Sequence, residues 1–364
     1  MALIDLKSLD KNSLKEFITK EGLPAFRAGQ LLHWMYEKNV ASIAEITEFS
    51  KPLRENLSRK AYISTLIIKE RLVSQDGTEK YLFELEDGNF IESVLIPPDP
   101  DSDLNKTSPG LKTGHDKKNP PRLTLCISSQ VGCAAGCKFC LTGKLGLIRN
   151  LTSAEIVEQV LSVQRVIAPG RITNIVFMGM GEPLNNLENV AQALWKLTEF
   201  VHFSKRRITV STSGIVPRIL EFSQKAPMVN LAVSLNAATD ETRSLVMPIN
   251  RKYGIASLMQ ALRQYPVAPR GRITFEYVLL GGINDSLQDA RRLVKLLHGI
   301  PSKVNLIPFN EHGGSDFKTP SPDRVLAFQR ALIDSGCTAI IRKSKGTDIL
   351  AACGQLKAKY DLKK

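Results

Sequence analysis

The sequence predicts an α/β protein organised on a parallel sheet, and three observations carry that prediction. From Arg122 onward, six short apolar runs alternate with six segments of helical period, the pattern of parallel strands joined by crossover helices. Before them come a helical stretch and then a stretch of strand period, each too short for a core of its own. The 364 residues suffice for one large core of about 200 residues or more with small appendages.

In chain order, residues 1–60 read as a small helical unit. Leu14, Phe17 and Ile18, then Leu31, Leu32 and Met35, recur at three-to-four spacing around a turn at Gly22–Arg27. Residues 61–121 read as a hairpin followed by a linker. Tyr81–Glu86 and Asn89–Ile96 flank an Asp87-Gly88 turn, and 101–120 is polar, without period, and includes His115. Residues 122–345 form the α/β core. Its strands are expected at 123–127, 172–178, 207–211, 229–235, 273–280 and 304–308, and its helices at 153–168, 186–201, 216–224, 255–264, 287–297 and 322–335. Residues 346–364 close the chain with Cys353 and a basic tail.

Composition narrows the class. The net charge is +13, more than a small neutral substrate requires, and it favours a polyanionic partner. Arg27, Gln30, His33 and Trp34 could face such a partner, or Trp34 could simply pack inward. No run of 18 apolar residues and no signal-like N-terminus occur, so a cytoplasmic protein without membrane contact is expected. In a reducing compartment, six cysteines read as ligands or catalysts.

Four of those cysteines fall between Cys126 and Cys140. Cys133, Cys137 and Cys140 have the spacing C-x3-C-x2-C, with Gly132 and Gly136 between them to turn the loop. A structural zinc closes four ligands, whereas an iron–sulfur cluster held by three thiolates keeps one iron open to reactants. A zinc-bearing, non-enzymatic RNA-binding protein is the competing reading.

In a parallel α/β fold the functional residues gather at the C-terminal ends of strands. Here those ends carry Gly179-Met-Gly181-Glu182-Pro183, Ser211-Thr-Ser-Gly214, Ser234-Leu235-Asn236 and Pro308-Phe-Asn310. Glycines allow close backbone approach, and Glu182 can accept from an ammonium group. Glu92 lies on a strand face with Phe90, Val94 and Ile96, where a carboxylate either pairs with a cation or handles protons; its burial is open, because both faces carry apolar residues. Cys353, between Ala352 and Gly354 after the basic run Arg342–Lys345, is expected to be a nucleophile with a lowered pKa, paired in redox chemistry with Cys126. Cys337 reads as a buried core thiol.

The three-cysteine motif resembles that of radical S-adenosylmethionine enzymes. Together with 126–140, 176–183, 211–214, 234–236, 308–310, 342–356 and the Phe90–Val94 stretch, the chain is similar to the RlmN and Cfr family. The polar stretch Asp101–Pro120 departs from that likeness, being longer than the family usually carries.

The resemblance implies a partial (β/α)6 radical SAM barrel with an N-terminal helical domain and a short β-hairpin extension. It implies a [4Fe-4S] cluster on Cys133, Cys137 and Cys140, and two S-adenosylmethionine molecules per turnover, held by Gly181, Glu182, Ser211, Ser234, Leu235, Asn236 and Asn310. By the same likeness, Cys353 carries a methyl group, Glu92 removes the ring proton, and Cys126 resolves a covalent RNA adduct by forming a disulfide. The RlmN branch methylates carbon 2 of adenine in 23S rRNA and in tRNA next to the anticodon; the Cfr branch methylates carbon 8. The Met178–Pro183 and Ala351–Leu356 stretches look more like RlmN. A flavodoxin- or ferredoxin-type electron donor and a monomeric state complete the expectation.

Overall fold

A computed structural model describes residues 3–98 and 122–357; the polar linker with His115 and the basic tail beyond Lys357 lie outside the described residues. The helical start forms as expected. Strand β1 (Ile4–Asp5) leads into helices α1 (Lys11–Lys20), α2 (Arg27–Leu32) and α3 (Lys51–Ser58), and β2 (Ala61–Tyr62) returns parallel to β1. Asp10 caps α1 by accepting from the Ser13 amide at 2.8 Å. Leu14, Phe17, Ile18, Leu31, Leu32 and Met35 are buried, whereas Trp34 is half-buried and donates its indole N–H to Glu48 at 2.9 Å.

Three antiparallel strands follow: β3 (Ile67–Val73), β4 (Glu79–Glu84) and β5 (Phe90–Ile96). Gly88 sits at φ +77° in the turn that the Asp-Gly pair announces. The expected hairpin is β4–β5, and β3 widens it.

The core then runs β6 (Thr124–Cys126), β7 (Gln130–Gly132), α4 (Leu141–Lys144), β8 (Leu147–Asn150), α5 (Ser153–Ile167), β9 (Asn174–Phe177), α6 (Leu187–Glu199), β10 (Ile208–Thr212), α7 (Val216–Lys225) and β11 (Asn230–Ser234). It continues with α8 (Asp240–Val246), α9 (Ile255–Gln264), β12 (Ile273–Leu279), α10 (Leu287–Leu297), β13 (Ser302–Pro308), α11 (Pro322–Asp334) and β14 (Ala339–Ile341). One 10-stranded sheet has the order β14-β13-β12-β11-β10-β9-β6-β5-β4-β3. Every pairing from β6 to β14 is parallel, and β5 joins β6 antiparallel. The six expected strands and helices all form. β14, three residues at the sheet edge, was too short to show a period of its own.

Why the sheet encloses a site follows from its two faces. Ile175, Phe177, Ile208, Val210, Leu231, Val233, Phe275, Val304 and Leu306 are nearly fully buried under the helices. Of the alternate residues, Cys126, Ala232, Thr274 and Glu276 are buried, whereas Thr124, Val176, Thr209, Ser211, Ser234 and Asn305 are only half-buried. A parallel sheet is usually apolar and covered on both faces. The largely polar inner face is therefore less covered than the outer one, and it leaves room toward the strand ends.

The helical start docks on the outside of this barrel. Lys7, fully buried, pairs with Glu158 of α5 and donates to Ser64 O at 3.0 Å. Lys196 of α6 reaches Lys7 O at 2.6 Å and Ser153 Oγ at 2.9 Å.

Candidate active site

The cysteine loop hangs between β7 and β8, an antiparallel pair that the sequence did not reveal because glycines and cysteines interrupt its alternation. Gly132, at φ +75°, is needed there: a Cβ would lie 1.9 Å from Gly146 O, to which Cys133 N donates at 2.8 Å. Cys133, Cys137 and Cys140 are free thiols. Burial pushes Cys133 up to about 12 and Cys137 well above the ordinary thiol range; the neighbouring thiols and Glu182 add to both. The three groups thus stand within electrostatic reach of one another. Among the described residues, no set of three or more His, Cys, Asp or Glu side chains is arranged to hold a metal ion. The donor chemistry nonetheless fits an iron–sulfur cluster: thiols that burial keeps protonated would ionise beside a positive centre.

Around this loop the strand ends form a rim. Gly179 and Gly181 let the loop after β9 pack tightly: a Cβ at Gly179 would lie 2.7 Å from Ile127 O, and one at Gly181 would lie 2.6 Å from the Gln130 side chain. Their neighbour is therefore this chain's own backbone as well as the cavity. Glu182 is buried, and desolvation raises its pKa against hydrogen bonds from Ser213 N at 2.6 Å and Leu184 N at 3.0 Å. Ser211 and Ser234 lie on the inner face. Leu235 buries its side chain in the core. Asn236, at φ +57°, accepts from Val278 N at 2.8 Å and reaches the Met247 sulfur at 3.1 Å, so its side chain braces β11 against β12 and α8.

Cys353 arrives on a C-terminal strap. Gly346 N donates to Asp76 at 2.9 Å, and Asp348 accepts from Ser74 Oγ at 2.6 Å and Gln75 N at 3.2 Å. Past these anchors in the β3–β4 turn, the strap meets the cysteine loop. Leu141 N donates to Gly354 O at 2.8 Å, Thr142 Oγ1 to Leu356 O at 2.7 Å, and Asn310 to Cys353 O at 3.3 Å. Lys357 N then reaches Glu92 Oε2 at 2.8 Å. Glu92 is buried, and Lys80 completes the pair at 3.2 Å. The cation expected beside this carboxylate is thus present.

Cys353 is exposed to solvent, yet its thiol lies in a recess where Cys140 and Cys126 act on it. Crowding by the surroundings pushes it up to about 12, and the opposing pull of Arg342 is smaller. The expected lowering by basic neighbours is thus outweighed by desolvation. Cys126 is buried and likewise pushed up to about 12 by desolvation. It pairs across the sheet with Val94, which places it on the same face as Glu92. Cys337 is half-buried against the core rather than fully buried.

Sequence reasoning missed the braces. Arg243, fully buried, donates to Leu235 O at 3.0 Å, Ser213 O at 2.7 Å and Asn250 Oδ1 at 2.9 Å, tying β10 and β11 behind Cys137. Burial lowers its pKa to about 10. His312 accepts from Gly314 N at Nδ1, so its Nε2–H donates to Phe139 O at 3.1 Å within the cysteine loop. Thr239, which caps α8, was the local signal for Arg243; His312 had none.

Residues 127–295 match the Radical SAM superfamily, and residues 4–63 match the ribosomal RNA large subunit methyltransferase N-terminal domain. The chain is 52% identical over 361 residues to a dual-specificity RNA methyltransferase RlmN of Geobacter sulfurreducens, covering 99% of this chain and 93% of the relative. With the protein of the same description from Syntrophotalea carbinolica it shares 51% identity, over 98% and 90% of the two chains. The crystal structure of a radical SAM methyltransferase from Sphaerobacter thermophilus superposes with a TM-score of 0.88 at 41% identity, covering 98% of this chain and 100% of that one. Relatives of this kind use S-adenosylmethionine and an iron–sulfur cluster, which excludes the zinc-bearing, non-enzymatic reading. The chain belongs to the RlmN family of radical SAM RNA methyltransferases.

Proposed function

We propose that the chain methylates carbon 2 of adenine in 23S rRNA and in tRNA next to the anticodon, on a base splayed out of its stack. The observation that carries this reading is the strap, which brings the Cys353 thiol into one open recess with Cys126 and the cysteine loop.

Cys133, Cys137 and Cys140 would hold the [4Fe-4S] cluster, with Gly181, Glu182, Ser211, Ser234, Leu235, Asn236 and Asn310 around S-adenosylmethionine. Bound together, these groups supply a methyl group and a hydrogen-abstracting radical, with two S-adenosylmethionine molecules used per turnover. The protein's own residues do the rest. Cys353 gives up its proton, carries the methyl on sulfur and presents that carbon to the adenine ring. Glu92, fixed by Lys80, takes the ring proton. Cys126 then gives up its proton and attacks the Cys353 sulfur: an S–S bond forms as the S–C bond breaks, the electron pair stays on the freed carbon, that carbon takes up a proton to become the methyl group, and the methylated RNA leaves. Two electrons and two protons restore the thiols, with a flavodoxin or ferredoxin as donor. Residues 1–60 are an accessory RNA contact, residues 346–364 form the methyl-carrier segment, and the protein acts as a cytoplasmic monomer.

The test is mass spectrometry of RNA treated with anaerobically reconstituted protein, S-adenosylmethionine and reductant, beside Cys353→Ala. Methylation at carbon 2 that vanishes in the variant is expected; methylation at carbon 8 moves the chain to Cfr-type chemistry.

A further inference from the structure

The opposite end of the barrel carries charge. Arg122 precedes β6, Arg207 precedes β10, Arg272 precedes β12, and Lys303 is second in β13. Lys303 stands two residues before Asn305 within β13 and so lies on the concave face, and Arg122, Arg207 and Arg272 stand at the same end of their strands. Arg342, just after β14, lies on the same face but higher in the barrel, where its amide donates to Leu306 O at 2.8 Å. Arg122 feels Arg207, and Lys303 feels Arg122 and Arg272 against the opposing pull of Glu276, while Arg342 reaches both from higher in the barrel, so charges from distant parts of the sequence crowd one opening.

Glu276 offsets part of this charge. Among the described residues, none of the five makes an ion pair with a carboxylate. The acid that faces them, Glu276, is buried and accepts from Asn305 at 2.9 Å. Arg122, Arg207, Arg272 and Arg342 remain exposed. Repelling cations gathered at a concave opening raise the potential there and favour an anion in it.

The distance to the chemistry is also suitable. From Arg207 to Ser211 the inner face rises roughly 13 Å at strand spacing. One extruded nucleotide and an arginine side chain together span that length.

The geometry points to this N-terminal mouth as a phosphodiester seat for the substrate RNA: the backbone beside the target nucleotide rests on Arg122, Arg207 and Lys303 while the base projects along the inner face toward Cys353. The assignment rests on the RNA-methyltransferase reading and adds an entry side, opposite the cysteine loop.

The test uses the cluster-loaded protein and a fluorescent RNA stem-loop with an unpaired adenine, with affinity measured by anisotropy across a potassium chloride series. Arg122→Gln, Arg207→Gln and Lys303→Gln are each expected to reduce the slope of log affinity against log salt by about one, as for a lost phosphate contact. Arg330→Gln, on the outer helix α11, keeps the parent slope. Thermal midpoint and cluster absorbance matching the parent show that the variants fold. If the parent binds RNA with a steep slope and the three variants keep it, or if Arg330→Gln reduces it equally, the seat is overturned while the enzyme reading stands. A parent that binds no RNA overturns both.

Discussion

The two mouths of the barrel are built on opposite electrostatic plans. At the C-terminal rim, thiols and carboxylates are mostly withdrawn from water: Cys126 and Glu182 are buried, Glu92 is locked by Lys80 and Lys357 N, and Cys353 alone of these is exposed, on its strap. At the N-terminal mouth, Arg122, Arg207 and Arg272 are exposed, and no carboxylate pairs with them among the described residues. Desolvation sharpens the interactions needed for chemistry, whereas solvent-accessible charge attracts a polyanion at long range. One sheet separates the two tasks because its inner-face residues differ at the two ends of each strand.

The sharpest way to break this division is to remove the carrier. Cys353→Ala is expected to abolish methylated product, a loss of at least about 1,000-fold, while RNA affinity changes less than about twofold. Product assayed by mass spectrometry and binding assayed by anisotropy would contradict the division if both fell together.

Glu92→Gln keeps the shape of the buried carboxylate and removes its basicity. Turnover should fall about 100- to 10,000-fold with RNA affinity intact, as single-turnover kinetics would measure. A variant with parental turnover removes Glu92 from proton transfer.

Arg243 sharpens the comparison from the structural side. Arg243→Ala leaves several buried carbonyls without a donor and should destabilise the fold by roughly 3 kcal/mol in denaturant titrations. An unchanged midpoint contradicts its bracing role.

A smaller effect tests the desolvated rim directly. Because burial raises Cys353 to about 12, the thiol form dominates at neutral pH. In cluster-free protein, alkylation at Cys353 should therefore climb about tenfold per pH unit from 7 to 11, where an ordinary thiol levels off near 9. The folded state favours the neutral thiol, so its contribution to stability is complete below about pH 9 and declines as pH rises toward 12. An alkylation rate that levels off by pH 9, measured by difference from Cys353→Ala, contradicts the recess.

How legible these regions were differs for physical reasons. The strands and helices of the core could be read because each carries its own period, and Ile255–Gln264 and Leu287–Leu297 fall where the spacing put them. The cysteine motif was legible because one loop holds it. The strap's anchors were not: Ser74 and Asp76 lie some 270 residues from their partners, and no local pattern records such contacts. Leu235 and Asn236 could be picked out from their place at a strand end, but the core packing and bracing of their side chains could not, because those contacts come from neighbouring strands. Arg207 and Arg342 were legible as candidate phosphate contacts because each lies in a basic run, whereas Arg122, Arg272 and Lys303 were not, because their meaning depends on which strands become neighbours.

The central claim is that Cys353 and Cys126 act in sequence on one RNA base. Cys126→Ala, reacted anaerobically with RNA, S-adenosylmethionine and reductant and then digested with nuclease, should show by intact-protein mass spectrometry a nucleotide joined through one carbon to Cys353. The adduct should be absent from Cys126→Ala/Cys353→Ala. Free methylated RNA released at the parental rate, with no adduct on the Cys126→Ala protein, would contradict the account.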